Sequence, residues 1–205
     1  MSEPEVWTSA ALPGLEDRAR SVEECVEQAY EIVSQAKAEH GPVRTFILFS
    51  GGNDSLVTLD VLAPIADEVV HVNTGIGIPE TTVFARRVGA SYDLPFSEYE
   101  PPISYEDLVL GRWDGLPGPG AHKFTYQRLK ERCIEQLLRD HRSKPGERFM
   151  LLTGVRKAES KRRMGYHDPV DRRGGQVWVN PLLFWSHAEM RQYRDEFELP
   201  INEFA

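Results

Sequence analysis

The residues best suited to chemistry stand together at Ser50-Gly51-Gly52-Asn53-Asp54-Ser55. Two hydroxyls, two glycines, an amide and a carboxylate within six positions suit anion capture. The glycines permit a tight turn, positive φ and close approach of a ligand to bare backbone. Asn53, Asp54 and Ser55 can cap a helix, which aims free N–H groups and a helix dipole at one point. Such a point binds phosphate or sulfate. No Gly-Lys-Ser/Thr follows, so this is not a Walker A loop.

A second group of chemical side chains lies beyond Thr153-Gly154. From Arg156 to Arg173 the chain carries seven basic and three acidic residues, a local excess of four positive charges in a chain of net charge −8. Arginine suits bidentate capture of phosphate or sulfate, so the segment reads as an anion clamp on the ligand side of a sheet. The two cysteines, Cys25 and Cys133, form no CxxC and no ligand cluster. They read as buried free thiols in a reducing, cytoplasmic setting.

Elements must position these groups. Thr45 to Phe49 is an unbroken run of β-branched, aromatic and Leu residues, as in a strand buried on both faces of a parallel sheet. Asp54 to Leu62 is the helix that follows the glycines. Glu68 to Asn73 is a second strand running into Thr74-Gly75, Thr82 to Val88 a helix opened by Pro79, and Phe96 to Tyr99 a third strand. This βαβαβ order predicts a parallel, doubly wound α/β sheet with helices on both faces. Ser21-Val22-Glu23-Glu24 opens an earlier helix that stops at Gly41-Pro42, and Ser186-His187-Ala188-Glu189 opens the last one; both are capping boxes. His122 to His141 reads as a long helix, Arg148 to Thr153 and Gln176 to Asn180 as further strands, and Gly111 to Gly120 as a Gly/Pro-rich surface loop.

The 205 residues suffice for one domain, read as residues 21–205 behind a loose lead-in over 1–20. The acidic, Pro-bearing lead-in is no secretory signal. No apolar run of eighteen residues exists, which argues against a membrane span. The acidic balance gives no general attraction to nucleic acid.

Taken together, the motifs resemble the PAPS reductase family of the PP-loop, or adenine nucleotide α-hydrolase, superfamily. Ser50-Gly51-Gly52-Asn53-Asp54-Ser55 looks like its Ser-Gly-Gly-x-Asp-Ser. His71-Val72-Asn73-Thr74-Gly75 with Ile78-Pro79-Glu80-Thr81 looks like its His-Val-Asp-Thr-Gly and Phe-Pro-Glu-Thr. Thr153-Gly154-Val155-Arg156 with Glu159-Ser160 and Arg163 looks like its Gly-Ile-Arg, Glu-Ser and Arg. Asn180-Pro181-Leu182, Trp185 and Leu199-Pro200-Ile201-Asn202 look like its closing motifs.

The resemblance implies an adenine nucleotide, PAPS or ATP, at the C-terminal edge of the sheet. By it, Ser50, Gly51, Gly52, Asn53, Asp54 and Ser55 hold phosphate or sulfate, and Asn73, Thr74 and Gly75 line the adenosine pocket. Gly154, Arg156, Ser160 and Arg163 close over the anionic end. Leu129-Lys130 resembles the family's Leu-Lys pair, so Lys130 joins Arg156 and Arg163 as a catalytic candidate that stabilises charge on the leaving group. Asp54 helps to place Mg²⁺ if the ligand is ATP. Asn73 replaces the family's usual Asp. No cysteine pair precedes Leu129-Lys130, so neither an iron–sulfur cluster nor zinc is supported, and nothing matches the family's nucleophilic cysteine tail. The expected activity is sulfonucleotide chemistry with a thiol from a donor protein or second subunit. The alternatives are ATP-dependent adenylation, as in an ATP sulfurylase small subunit or a DNA phosphorothioation protein, and nucleotide binding without catalysis. Nucleic acid is a partner only in the phosphorothioation case.

Overall fold

A computed structural model describes residues 20–111, 119–159 and 168–204. The elements, in order, are α1 (Val22–His40), β1 (Arg44–Leu48), α2 (Asn53–Leu62), β2 (Glu68–Val72), α3 (Pro79–Gly89), β3 (Phe96–Tyr99), α4 (Tyr105–Gly111), α5 (Pro119–His141), β4 (Phe149–Leu152), β5 (Val170–Arg173), β6 (Gln176–Val179) and α6 (His187–Glu196). Short 3-10 turns occupy Ala63–Ile65 and Lys157–Glu159.

The strands form one six-stranded sheet in the order β3-β2-β1-β4-β6-β5. All neighbours are parallel except β5 and β6. Alternate residues of a strand point to opposite faces, and both faces are buried. Ile47, Val69, Met150, Leu152, Val177 and Val179 pack with α1, α2, α3 and α6. Phe46, Val70, Phe149 and Leu151 pack with Ile134, Leu137 and Leu138 of α5. The continuous apolar character of β1 and β4 follows from this double burial. The α/β expectation, a parallel sheet with helices on both faces, holds.

The order in which strands are added switches sides at β1. The connections β1-α2-β2-α3-β3 build outward to one side, and β4, β6 and β5 lie on the other. A crevice therefore opens above the C-terminal ends of β1 and β4, the place where open α/β sheets take ligands.

Both expected capping boxes form. Ser21 Oγ accepts from Glu24 N–H, and Ser186 Oγ from Glu189 N–H, with each glutamate returning to the cap's own N–H. Glu189 also receives Arg20 Nε at 2.7 Å and Nη2 at 2.9 Å. Arg20, the last residue of the expected lead-in, is thereby fixed to the start of α6; the rest of the lead-in lies outside the described residues. Burial works to raise the Glu189 carboxyl, but hydrogen bonds from Arg20 and Ser186 prevail and hold it down to about 2.

The helix below the glycine turn is pinned from two sides. Tyr92 and Tyr193 each donate to one oxygen of Asp60 on α2, both at 2.8 Å. Burial first, and then Asp60, raise both phenols well above the usual tyrosine range.

One strand departs from expectation. Val170–Arg173 is an edge strand, joined to β6 through Gly174-Gly175, with Gly174 at φ 61°. Because β5 runs antiparallel and Arg173 pairs with Gln176, the first residue of β6, Arg172 and Arg173 lie toward the end of the sheet away from the crevice. Of the segment's described basic residues, Arg156 lines the crevice and Arg172 and Arg173 do not; Lys161, Arg162 and Arg163 lie outside the described residues. Among the described residues no helix is long and apolar enough to cross a membrane.

Candidate functional site

The glycine turn sits at the C-terminal end of β1. Gly51 has φ 80°, and a Cβ there would stand 2.9 Å from Thr81 O, so both backbone and space demand glycine. Ser55 Oγ donates to Gly52 O at 2.8 Å and accepts from Ser50 N–H at 3.2 Å. With that proton committed, Ser50 Oγ is the donor in its 3.0 Å contact with Ser55 Oγ. The two serines thus close the loop on itself.

Gly52 is the N-cap of α2 and supplies no side-chain cap. The helical ladder begins only with Leu56 N–H onto Gly52 O at 3.0 Å. The N–H groups of Asn53, Asp54 and Ser55 therefore lie outside the ladder, at the positive end of the helix dipole. Gly154, from the turn after β4, presses on this helix end. A Cβ there would stand 2.7 Å from Ser55 N and 2.8 Å from Asp54 C. Its task is close backbone approach, which brings the β4 turn against the loop.

Arg156 is 3% exposed. It donates from Nε at 3.0 Å and Nη2 at 2.8 Å to Asp54 Oδ2, and from Nη1 to Trp185 O at 3.3 Å. A carboxylate at an anion site would repel its ligand; here the guanidinium neutralises it. His187 stands beside the pair. Its Nε2 donates to Ala158 O at 3.0 Å, which leaves the Nδ1 lone pair facing Arg156 Nη2 at 3.5 Å.

These groups line a cavity of about 560 Å³. One wall carries Ser50, Gly52, Asn53, Asp54, Ser55, Gly154 and Arg156, with Thr153, Glu159 and His187 beside them. The other is apolar, made of Leu48, Val70, Val72, Ile134 and Trp178, with Lys130 among them. A hydrogen-bonding end opposite an apolar one suits a ligand with an anionic head and a flat, weakly polar body.

Asn73, Thr74 and Gly75 do not line this cavity. They line an adjacent one of about 380 Å³, together with Glu100, Ser104, Tyr105 and Glu106. Asn73 donates from Nδ2 to Glu98 at 2.8 Å and to Glu100 at 3.0 Å, and accepts from Gly75 N–H at 3.0 Å. Arg86 holds Glu98 from the far side at 2.6 Å and, with Asn73, lowers its pKa. A neutral side chain is what this carboxylate pair requires at position 73. Ser160 and Arg163 lie outside the described residues.

Two participants carried no assigned role in the sequence reading. His187 lay inside a capping box, and Asn202 was only part of a closing motif. Asn202 is buried against the loop, donating to Gly51 O at 2.7 Å. Neither cysteine joins the site: Cys25 is in the α1 core and Cys133 is fully buried on α5. Burial raises the thiols to about 12 and about 11 respectively.

The chain is 26% identical to a phosphoadenosine 5'-phosphosulfate reductase from Synechocystis sp., over 86% of this chain and 70% of that one. It is 30% identical to sulfate adenylyltransferase subunit 2 from Streptomyces lavendulae, over 79% of this chain and 57% of the relative's length. An NH3-dependent NAD synthetase from Campylobacter jejuni shares the fold, with a TM-score of 0.59 at 14% identity, over 88% of this chain and 75% of the other. The phosphoadenosine phosphosulfate reductase domain matches residues 44–205, from the first strand through the loop, the Arg156 turn and Asn202, and the chain belongs to that family.

Proposed function

We propose that this chain binds an adenine nucleotide in the 560 Å³ cavity and acts on it in sulfur or sulfonate transfer. The observation that carries the reading is the join of the Ser50–Ser55 loop, with its N–H groups outside the α2 ladder, to an apolar wall of Leu48, Val72, Ile134 and Trp178. The loop takes the phosphate or sulfate end, and the apolar wall takes the base.

In the sulfonucleotide form, a thiolate attacks the sulfur, the S–O bond breaks, and the nucleotide phosphate leaves with the electron pair. The attacking thiolate comes from a donor protein or second subunit. Lys130 faces the cavity from α5 and stabilises the departing phosphate electrostatically. Arg156 acts through Asp54, keeping the loop's carboxylate neutralised. The family motif assigns Arg163, outside the described residues, to the same anionic end.

The burial of Cys25 and Cys133 favours a second reading, adenylation by ATP. A substrate oxygen attacks the α-phosphorus, the bond to the β-phosphate oxygen breaks, and pyrophosphate leaves into the loop. Asp54 and Glu159 are the carboxylates that line the cavity, hard oxygen ligands of the kind Mg²⁺ takes, and they would hold it. When bound, the metal neutralises the polyphosphate charge.

Thermal unfolding with PAPS, APS and Mg-ATP at one concentration tests the assignment. A ligand at a hundredfold excess over its dissociation constant adds about 2.7 kcal/mol. Stabilisation by PAPS or APS alone supports the sulfonucleotide form, and by Mg-ATP the adenylating form. Gly154→Ala abolishes either shift by displacing the helix end. No shift with any of the three, in the wild-type chain, overturns the assignment.

A further inference from the structure

The Leu199-Pro200-Ile201-Asn202 segment has no task in the proposed reaction, yet its last residue is 2% exposed beneath the phosphate-binding loop. Asn202 Nδ2 uses its two protons on Gly51 O at 2.7 Å and Thr81 Oγ1 at 3.2 Å. Its Oδ1 accepts from Phe204 N–H at 3.0 Å, and its own N–H donates to Asn53 Oδ1 at 3.3 Å. One side chain thus joins the loop, the first turn of α3 and the C-terminal segment.

We infer that Asn202 is a positioning residue that sets the direction of the Gly51–Gly52 peptide and so aims the loop's donors at the ligand's anionic end. The inference rests on the proposed nucleotide reading. A trans peptide is planar, with its C=O and N–H on opposite sides. Asn202 holds Gly51 O away from the cavity, so Gly52 N–H turns toward it. Gly52 does line the cavity, and its N–H has only a long 3.4 Å contact with Ser50 Oγ. Two glycines in sequence resist such a peptide flip poorly, which is why an external anchor is needed. The amide is also specific: a carboxylate of the same shape loses both donors and sets an oxygen against Gly51 O.

The test is calorimetric titration of the wild-type chain, Asn202→Asp and Asn202→Ala with Mg-ATP, PAPS and adenosine. Tyr92→Phe, which removes one bond to Asp60 away from the loop, serves as a stability control. A positioning role weakens ATP or PAPS at least about tenfold in both Asn202 variants. It leaves adenosine, which lacks the anionic end, within about twofold of wild type, and the control unchanged. Equal weakening of nucleotide and adenosine, or nucleotide binding within twofold of wild type, overturns the inference. Failure of the wild-type chain to bind any of the three would instead sink the nucleotide reading. Amide hydrogen exchange over residues 50–55 then decides: faster exchange in Asn202→Asp supports the anchor, and unchanged exchange overturns it.

Discussion

Arg156 donates twice to a single oxygen, Oδ2 of Asp54, from a residue 102 positions further along the chain. The pair fastens the turn after β4 to the start of α2. Removing the guanidinium leaves a carboxylate at the helix end without its counter-charge. Arg156→Ala therefore costs about 1–3 kcal/mol in urea unfolding. Arg156→Lys recovers only part of this, because an ammonium cannot reproduce two donors in a fixed plane.

Asn73 separates two carboxylates rather than supplying one. Asn73→Asp replaces a donor to Glu98 and Glu100 with a third negative charge. The variant loses about 1 kcal/mol at pH 7. Crowded carboxylates bind protons more readily when folded, so the loss shrinks as pH falls through the carboxylate range. Urea midpoints at pH 7 and pH 4 test both statements.

The Glu189 carboxyl, held at about 2 against an ordinary 4.5, stabilises the fold when ionised. Its depressed value means that this contribution is complete above pH 4.5 and is lost as pH falls toward 2. Wild-type and Glu189→Gln chains should differ most at neutral pH and converge in acid. A constant difference across this range would contradict the pairing with Arg20.

Both thiols are buried with raised pKa values. Iodoacetamide at pH 8 should leave Cys25 and Cys133 unmodified in the folded chain and label both in denaturant, read by intact mass. Rapid native labelling of Cys133 would contradict its burial on α5.

Local signals were readable from sequence wherever neighbouring residues determine the outcome. Ser21 with Glu24 and Ser186 with Glu189 form the capping boxes their spacing demands. The apolar run through Phe46 and Ile47 forms a central strand, and the glycines after Ser50 form the turn. Long-range pairings were not readable. Nothing near Asp54 shows that Arg156 will occupy it, and nothing near Asn202 shows that Gly51 O awaits its amide. Val170–Arg173 carries no strand signature, because an exposed edge strand needs no apolar alternation. Its charges read as a continuation of the basic block, although the turn glycines beside it were visible.

That edge strand has a consequence for how the chain behaves in concentrated solution. Asp171, Arg172 and Arg173 are exposed along β5, and Arg173 pairs with Asp171 at 2.7 Å. An open sheet border offers unpaired backbone groups to any passing strand, and charges there oppose such stacking. Replacing the three charges with β-branched apolar residues would leave the cavity beside the glycine turn intact and turn this border into a seed for fibrillar aggregation.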